Sequence, residues 1–318
     1  MAGRFAPTPT SRLHLGNLRT ALAAWLAARA SGRDFLIRIE DLDQARTAAA
    51  AGVAEGQLRD LARLGLNHDG PVVRQSERTA LYESALARLD GLVYECFCSR
   101  KEIAAAAQAP HGPDGGQPYS GACRDLSAAQ RASLRRRRPA ALRVRADGAA
   151  AAFSDQLAGN QTGFVDDFVL RRGDGVFAYN FAVVVDDAAQ GVDQVLRGAD
   201  LLVTSLRQVW LVKQLGWPVP EYAHLPLAVG PGGRRLAKRD GSDGLSRLAA
   251  AGWSAESVTA VLGRSLGLDV PEAAVRPADL VERFALDRIP AAEWTVDTAA
   301  LAAAGPAGLK PAAPDALV

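Results

Sequence analysis

Arg4-Phe5-Ala6-Pro7-Thr8-Pro9-Thr10-Ser11-Arg12-Leu13-His14-Leu15-Gly16-Asn17 is the stretch that decides the fold. A short apolar run ends at Pro7 and Pro9, where a strand cannot continue in a sheet interior. Leu18, Leu22, Trp25, Leu26 and Arg29 then follow at helical spacing, closed by Gly32. A second apolar run, Phe35, Leu36, Ile37 and Ile39, ends in the acidic cluster Glu40, Asp41 and Asp43. Strand, helix, strand in this order predicts an α/β fold with a parallel sheet and helices on its faces.

Outward from there, the spacing predicts helices over 53–64 and 82–92. The pattern then breaks. Residues 96–123 hold all three cysteines and a Gly/Pro-rich stretch, 110–118, unsuited to a regular helix or central strand. The segment 95–150 is therefore expected to be an insertion between two halves of the catalytic sheet, 1–94 and 151–241. Within the second half, strands are predicted at 164–170 and 181–185 around a turn at 173–175, then a helix at 205–215. The apolar run 225–229 leads to a glycine-rich turn, 230–233, and the basic segment 234–239. A small helical module is expected over 242–297, with Ser254 as an N-cap, and the Ala/Pro-rich residues 298–318 are expected to be disordered.

Bulk composition sets limits. A chain of 318 residues, 48% hydrophobic and 23% charged, buries a sizeable core. No stretch approaches the roughly 18 apolar residues of a membrane span, and no secretory h-region follows Met1, so a cytoplasmic protein with no membrane partner is expected, as a monomer. A net charge of +2 neither demands nor excludes nucleic acid. Three cysteines, two of them at 96 and 98, argue against a disulfide framework and for metal binding or burial.

Four segments carry candidate chemistry. In an open α/β sheet, ligands bind on strand-to-helix turns, where helix N-terminal N–H groups favour phosphate. His14 on such a turn can donate a hydrogen bond to a phosphate, or merely cap its helix; Gly16 would let a nucleotide base approach the backbone. The second segment, Gly233-Arg234-Arg235-Leu236-Ala237-Lys238-Arg239-Asp240-Gly241, is a glycine-flanked basic loop whose Lys238 can approach an oligophosphate as a point charge. The third is Cys96-Phe97-Cys98 with Tyr119-Ser120-Gly121-Ala122-Cys123. Three thiolates would bind zinc and staple a loop-rich insertion; by ligand chemistry alone His111 is the favoured fourth ligand. The fourth, Arg135-Arg136-Arg137-Arg138, is either a solvated helix face or a contact to RNA phosphate. No Gly-x-Gly-x-x-Gly follows the first strand, which argues against a dinucleotide-dependent oxidoreductase.

The His-containing first turn and the Lys-containing late loop together resemble the two signatures of class I aminoacyl-tRNA synthetases, His-Ile-Gly-His and Lys-Met-Ser-Lys-Ser. Arg38-Ile39-Glu40-Asp41-Leu42-Asp43, Asp167 to Gly175, Tyr179 to Asp187 and Arg197-Gly198-Ala199-Asp200-Leu201 resemble a glutamyl-tRNA synthetase catalytic domain over residues 3–245. This implies a Rossmann-like nucleotide-binding fold. It also implies glutamate bound by Arg4, Phe5, Ala6, Pro7, Thr8, Glu40, Tyr179 and Arg197, and ATP with Mg²⁺ served by His14, Gly16, Asn17 and Lys238, of which His14 and Lys238 are catalytic. An Arg fork suits the substrate carboxylate and disfavours glutamine. Asn17 stands where the class signature has its second His, and Ala237 where a Ser precedes the Lys.

The cysteine spacing is similar to that of the glutamyl-Q tRNA(Asp) synthetase subgroup, whose zinc is held by three Cys and a Tyr; this implies Cys96, Cys98, Tyr119 and Cys123. Only a small module follows Gly241, which fits that subgroup's shortened plan. The implied activity is tRNA-independent glutamyl-adenylate formation and transfer to queuosine at the wobble position of tRNA(Asp). The alternatives are a truncated glutamyl-tRNA synthetase charging a tRNA 3′ end and a non-catalytic zinc-containing RNA-binding protein.

Overall fold

The structure is a computed structural model that describes residues 1–43, 47, 52–99, 101–103, 119–234, 236 and 244–306. Along the chain run β1 (Ala2–Phe5), α1 (Leu15–Ala30), β2 (Asp34–Ile39), α2 (Val53–Arg63), β3 (Val73–Arg74), α3 (Thr79–Ala87) and β4 (Val93–Cys96). Then come α4 (Ala128–Arg135), β5 (Ala141–Val144), β6 (Ala149–Asp155), β7 (Gly159–Val165), β8 (Val169–Arg171), α5 (Tyr179–Ala189) and β9 (Val192–Gly198). The remainder is α6 (Ser205–Gln214), β10 (Glu221–Leu225), β11 (Ala228–Val229), α7 (Gly244–Ala250), α8 (Ala255–Ser265), β12 (Trp294–Thr295) and α9 (Thr298–Ala304). These form two compact units: Met1–Arg74 with Gln194–Ala199 and the chain from Glu221 onward, and Gln75–Asp193 with Asp200–Pro220. No described helix is long and apolar enough to cross a membrane.

The first unit is built on strands in the order β3-β2-β1-β9-β10. β1 pairs β2, β2 pairs β3 and β9 pairs β10, each in parallel. The parallel β-α-β opening is thus as the sequence predicts. α1 is buried nearly all round rather than along one stripe, because Ala21, Ala23, Ala24, Ala27 and Ala28 sit among Leu18, Leu22, Trp25 and Leu26. Small residues let it lie close to β1 and β2 on one side and to α8 on another. Arg19, also buried, ties it down by donating to the carbonyls of Pro226 (2.6 Å) and Ser265 (3.0 Å). Gly32, at φ +67°, ends the helix as read.

The second unit holds an antiparallel three-stranded sheet, β4-β5-β8, and the hairpin β6–β7. Helix α6 covers β6 and β7 and packs on α5. At its centre lies Asp186, fully buried, accepting hydrogen bonds from Gln75 Nε2 (2.7 Å), Tyr82 Oη (2.8 Å) and Arg78 Nε (2.6 Å). Asp186→Ala would leave these donors facing a void, with the Arg78 charge partnerless there. It is expected to destabilise the protein by about 3–5 kcal/mol, read as a fall in denaturant midpoint.

Three sequence expectations are corrected. Residues 181–185 are not a strand but the interior of α5: an uninterrupted apolar run is compatible with either, and burial on all sides removes the periodicity that separates them. The strand expected over 164–170 is two, β7 and β8, broken at Asp166 and Asp167, whose carboxylates take side-chain partners. The tail is helical over Thr298–Ala304, because Asp297 caps it by accepting the N–H groups of Ala299 (2.9 Å) and Ala300 (3.0 Å). Residues 307–318 lie outside the described chain.

Candidate functional site

In the first unit the turn after β1 is the candidate nucleotide site. It has no regular structure between Ala6 and His14, yet it is held at several points. Gln57 and Asp60, both buried on α2, reach it: Gln57 Nε2 donates to the carbonyls of Thr8 (3.2 Å) and Ser11 (2.7 Å). Asp60 takes both Nε (3.1 Å) and an Nη (2.7 Å) of Arg12 in a bidentate pair. The carbonyl of Pro7 accepts the N–H of Glu40 (3.0 Å), so the turn is also fastened to the end of β2.

His14 is the N-cap of α1. Its Nδ1 accepts the N–H of Asn17 (3.2 Å), and Asn17 Oδ1 accepts the N–H of His14 (3.2 Å). Burial holds the imidazole below its ordinary pKa, which favours its neutral form. A Cβ on Gly244, the first residue of α7, would stand 3.2 Å from both the Leu13 carbonyl oxygen and the Leu15 nitrogen. The start of α7 is therefore in backbone contact with the His14 turn.

Beside this turn, charged side chains are buried where the parallel strands end. Arg4 on β1, Glu40 just past β2 and Arg197 on β9 are 3%, 8% and 5% exposed. Arg38, wholly buried, lies 3.5 Å from Glu40. Arg197 donates from Nε to His224 Nε2 (3.0 Å) on β10, and its guanidinium stands 5.4 Å from the centre of the Tyr222 ring. Buried charges need partners or a ligand to offset their lost hydration. Arginine and carboxylate together at strand ends suit a zwitterionic, acidic ligand.

In the second unit, Cys96, Cys98 and Cys123 bring their sulfurs within 4.8 Å of one another. Cys98 and Cys123 Sγ are 3.5 Å apart, and Tyr119 Oη lies 3.3 Å from Cys96 Sγ and 3.8 Å from Cys98 Sγ. At a Zn–S distance of about 2.3 Å, two sulfurs of a tetrahedral site stand about 3.8 Å apart, so these spacings fit the edges of such a site. The cluster sits between β4 and the 119–123 turn with Phe97, Leu126 and Leu134 packed around it. Arg143 lies over the Tyr119 ring at 3.9 Å, and Asp167, fully buried, ties the strands and turn around the cluster together by accepting from Tyr94 Oη (2.6 Å) and Arg124 Nε (2.8 Å).

The family of class I tRNA synthetases for E and Q, catalytic domain, matches residues 1–302. A glutamyl-Q tRNA(Asp) synthetase of Nocardia farcinica is 56% identical over 296 residues, 92% of each chain. The chain belongs to this class I synthetase family. A second glutamyl-Q tRNA(Asp) synthetase, from Cutibacterium acnes, is 54% identical over 90% of this chain and 80% of its own. Among solved structures, glutamate-tRNA synthetase from Elizabethkingia anophelis is similar with a TM-score of 0.78 at 26% identity. A glutamate tRNA ligase from Elizabethkingia meningosepticum, in complex with its amino acid, reaches 0.77 at 25%. The chain covers 68% and 66% of those two chains, which cover 93% of it.

Class I membership implies ATP as a substrate with Mg²⁺, and the three-cysteine group can hold a metal ion. Of the expected site residues, the first unit gathers Arg4 to Thr8, His14, Gly16, Asn17, Glu40 and Arg197 on neighbouring strands and their turn. Tyr179 is the first residue of α5 in the second unit. Lys238 and His111 lie outside the described residues. The arginine run divides: Arg135 and Arg138 pair bidentately with Glu95 and Glu102, while Arg136 and Arg137 are exposed.

Sequence reasoning missed the residues that hold the site. Gln57, Asp60, His224 and Tyr222 are separated by tens of positions from the groups they hold, and none belongs to a motif. The one signal was the polar residue at a core position of α2, where an apolar stripe would otherwise continue.

Proposed function

We propose that this chain activates L-glutamate with ATP, without tRNA, and transfers the glutamyl group to queuosine at the wobble position of tRNA(Asp). The observation that carries the reading is the set of buried charges at the strand ends of the first unit, Arg4, Glu40 and Arg197, beside the His14 turn. Relatives named glutamyl-Q tRNA(Asp) synthetase, 44–56% identical, support it over charging of a 3′ end.

Arg197 and Arg4 bind the substrate side-chain carboxylate and Glu40 its ammonium group, with Tyr179 as a further contact. The α-carboxylate oxygen attacks the α-phosphorus of ATP, the bond to the bridging oxygen breaks, and pyrophosphate leaves. His14 and Lys238 stabilise the charge that builds on the phosphates, and no side chain becomes a covalent nucleophile. A queuosine hydroxyl then attacks the activated carbonyl, and AMP leaves. Cys96, Cys98, Tyr119 and Cys123 would hold one zinc ion, which cross-links the insertion and takes no part in the chemistry.

Pyrophosphate exchange into ATP without tRNA is expected with glutamate and not with glutamine or aspartate. Lys238→Ala should cut that exchange about 100-fold or more with unchanged circular dichroism; full exchange would remove Lys238 from the mechanism. Labelled glutamate should map to the anticodon fragment of digested tRNA(Asp). Label at the 3′-terminal fragment would instead establish a truncated glutamyl-tRNA synthetase.

A further inference from the structure

We propose that the first turn of α1 divides the two ring nitrogens of His14 between the fold and the ligand, with the Asn17 side chain as the positioning group that holds the His14 backbone for it. Nδ1 is committed to the start of α1, and Nε2–H is the one hydrogen bond that His14 offers to a phosphate. This rests on the glutamate-activation reading only for what is bound; the division of the nitrogens is a property of the chain itself.

The geometry is reciprocal. The backbone N–H of Asn17 donates to Nδ1, so that nitrogen must present its lone pair, while the Asn17 side-chain oxygen takes the N–H of His14. A neutral imidazole carries one proton, and with Nδ1 accepting, the proton is on Nε2. Burial, which disfavours the imidazolium, acts in the same direction. The intervening residue is part of the device. A Cβ on Gly16 would stand 3.1 Å from Nδ1 and Cε1 of His14 and 3.1 Å from the Ala228 Cβ, so the ring occupies the space that only glycine leaves open. Asn17 thus has work to do where the general class signature carries a histidine. It holds the backbone that aims the ring.

Two substitutions separate the nitrogens. The amide of Asn reaches only the position of Nδ1, and that of Gln reaches the position of Nε2. His14→Asn keeps a strong N-cap and loses the Nε2 donor. It should melt close to wild type but lose about 100-fold in pyrophosphate exchange. His14→Gln gives up the favoured cap and should melt lower, yet retain about ten times more exchange than His14→Asn. Asn17→Ala should lower kcat about 10-fold with KM for glutamate unchanged. In wild-type protein labelled with nitrogen-15 histidine, His14 should carry its proton on Nε2 alone near pH 7. The inference is overturned if His14 is an imidazolium or protonated on Nδ1, or if His14→Asn exchanges as well as wild type. Absence of exchange with glutamate in wild type would fail the functional reading, while the nitrogen-15 spectrum still decides this inference.

Discussion

Replacing Arg197 with Ala is expected to raise the KM for glutamate in pyrophosphate exchange about 100-fold or more. The guanidinium is buried, and its direction is fixed by His224 and by the Tyr222 ring. A substrate carboxylate meeting it would do so out of water, where losing one partner of a charge pair costs about 2–5 kcal/mol and each 1.4 kcal/mol is tenfold. Arg197→Lys should recover only part of this, since an ammonium cannot hold a carboxylate, the His224 nitrogen and the Tyr222 ring at once. The melting temperature of each variant separates lost binding from lost fold. A KM within about threefold of wild type would place the substrate carboxylate elsewhere.

Cys123→Ser is expected to remove zinc from the purified protein, with a fall in melting temperature of about 10 °C. Three sulfurs and a phenol oxygen converge here, and Phe97 and Cys123 donate backbone N–H groups to Cys123 Sγ (3.4 Å) and Tyr119 Oη (2.9 Å). The donor to Sγ helps hold the Cys123 thiol below its ordinary pKa despite burial, while burial pushes the Tyr119 phenol up, so charge on that oxygen would come from the cation itself. The effect is set below that of a zinc finger, which is unfolded without metal, because the β4-β5-β8 sheet adds its own hydrogen bonds around the cluster. Tyr119→Phe keeps the packing under Arg143 and removes the oxygen. It should weaken zinc retention against a chelator; equal retention would show that Tyr119 is packing alone. A full equivalent of zinc in Cys123→Ser would overturn the site.

How much of this was legible in the sequence follows from how far each feature reaches. The opening was legible because its signals are local: Pro7 and Pro9 stop a strand, helical spacing begins after Gly16, and Gly32 stops the helix. The cysteine cluster was legible because cysteines are few and closely spaced, but the choice between Tyr119 and His111 turns on approach in space. Residues 181–185 misled because a helix buried on every side has no polar face to mark it. The hairpin β6–β7 was missed because its first strand is mostly alanine; the usable signal was Asp155, whose Oδ1 takes the N–H groups of Leu157 and Ala158 ahead of Gly159 at φ +72°. Site support was nearly illegible for a different reason: Asp60 looks like helix surface until the turn it holds is folded against it, and Gln57 stands out only as a polar residue in an apolar stripe.

That last contact sets a rate as well as a shape. A proline-punctuated turn of this kind, without regular structure, would ordinarily be ordered by its ligand, at a cost in affinity and with a slow step ahead of binding. With Thr8, Ser11 and Arg12 already gripped by α2, the ordering is completed during folding. A nucleotide bound at this turn would meet a surface in its final form, and its association should show a single phase limited by encounter, with no lag for rearrangement. Loosening Asp60 would convert it to induced fit.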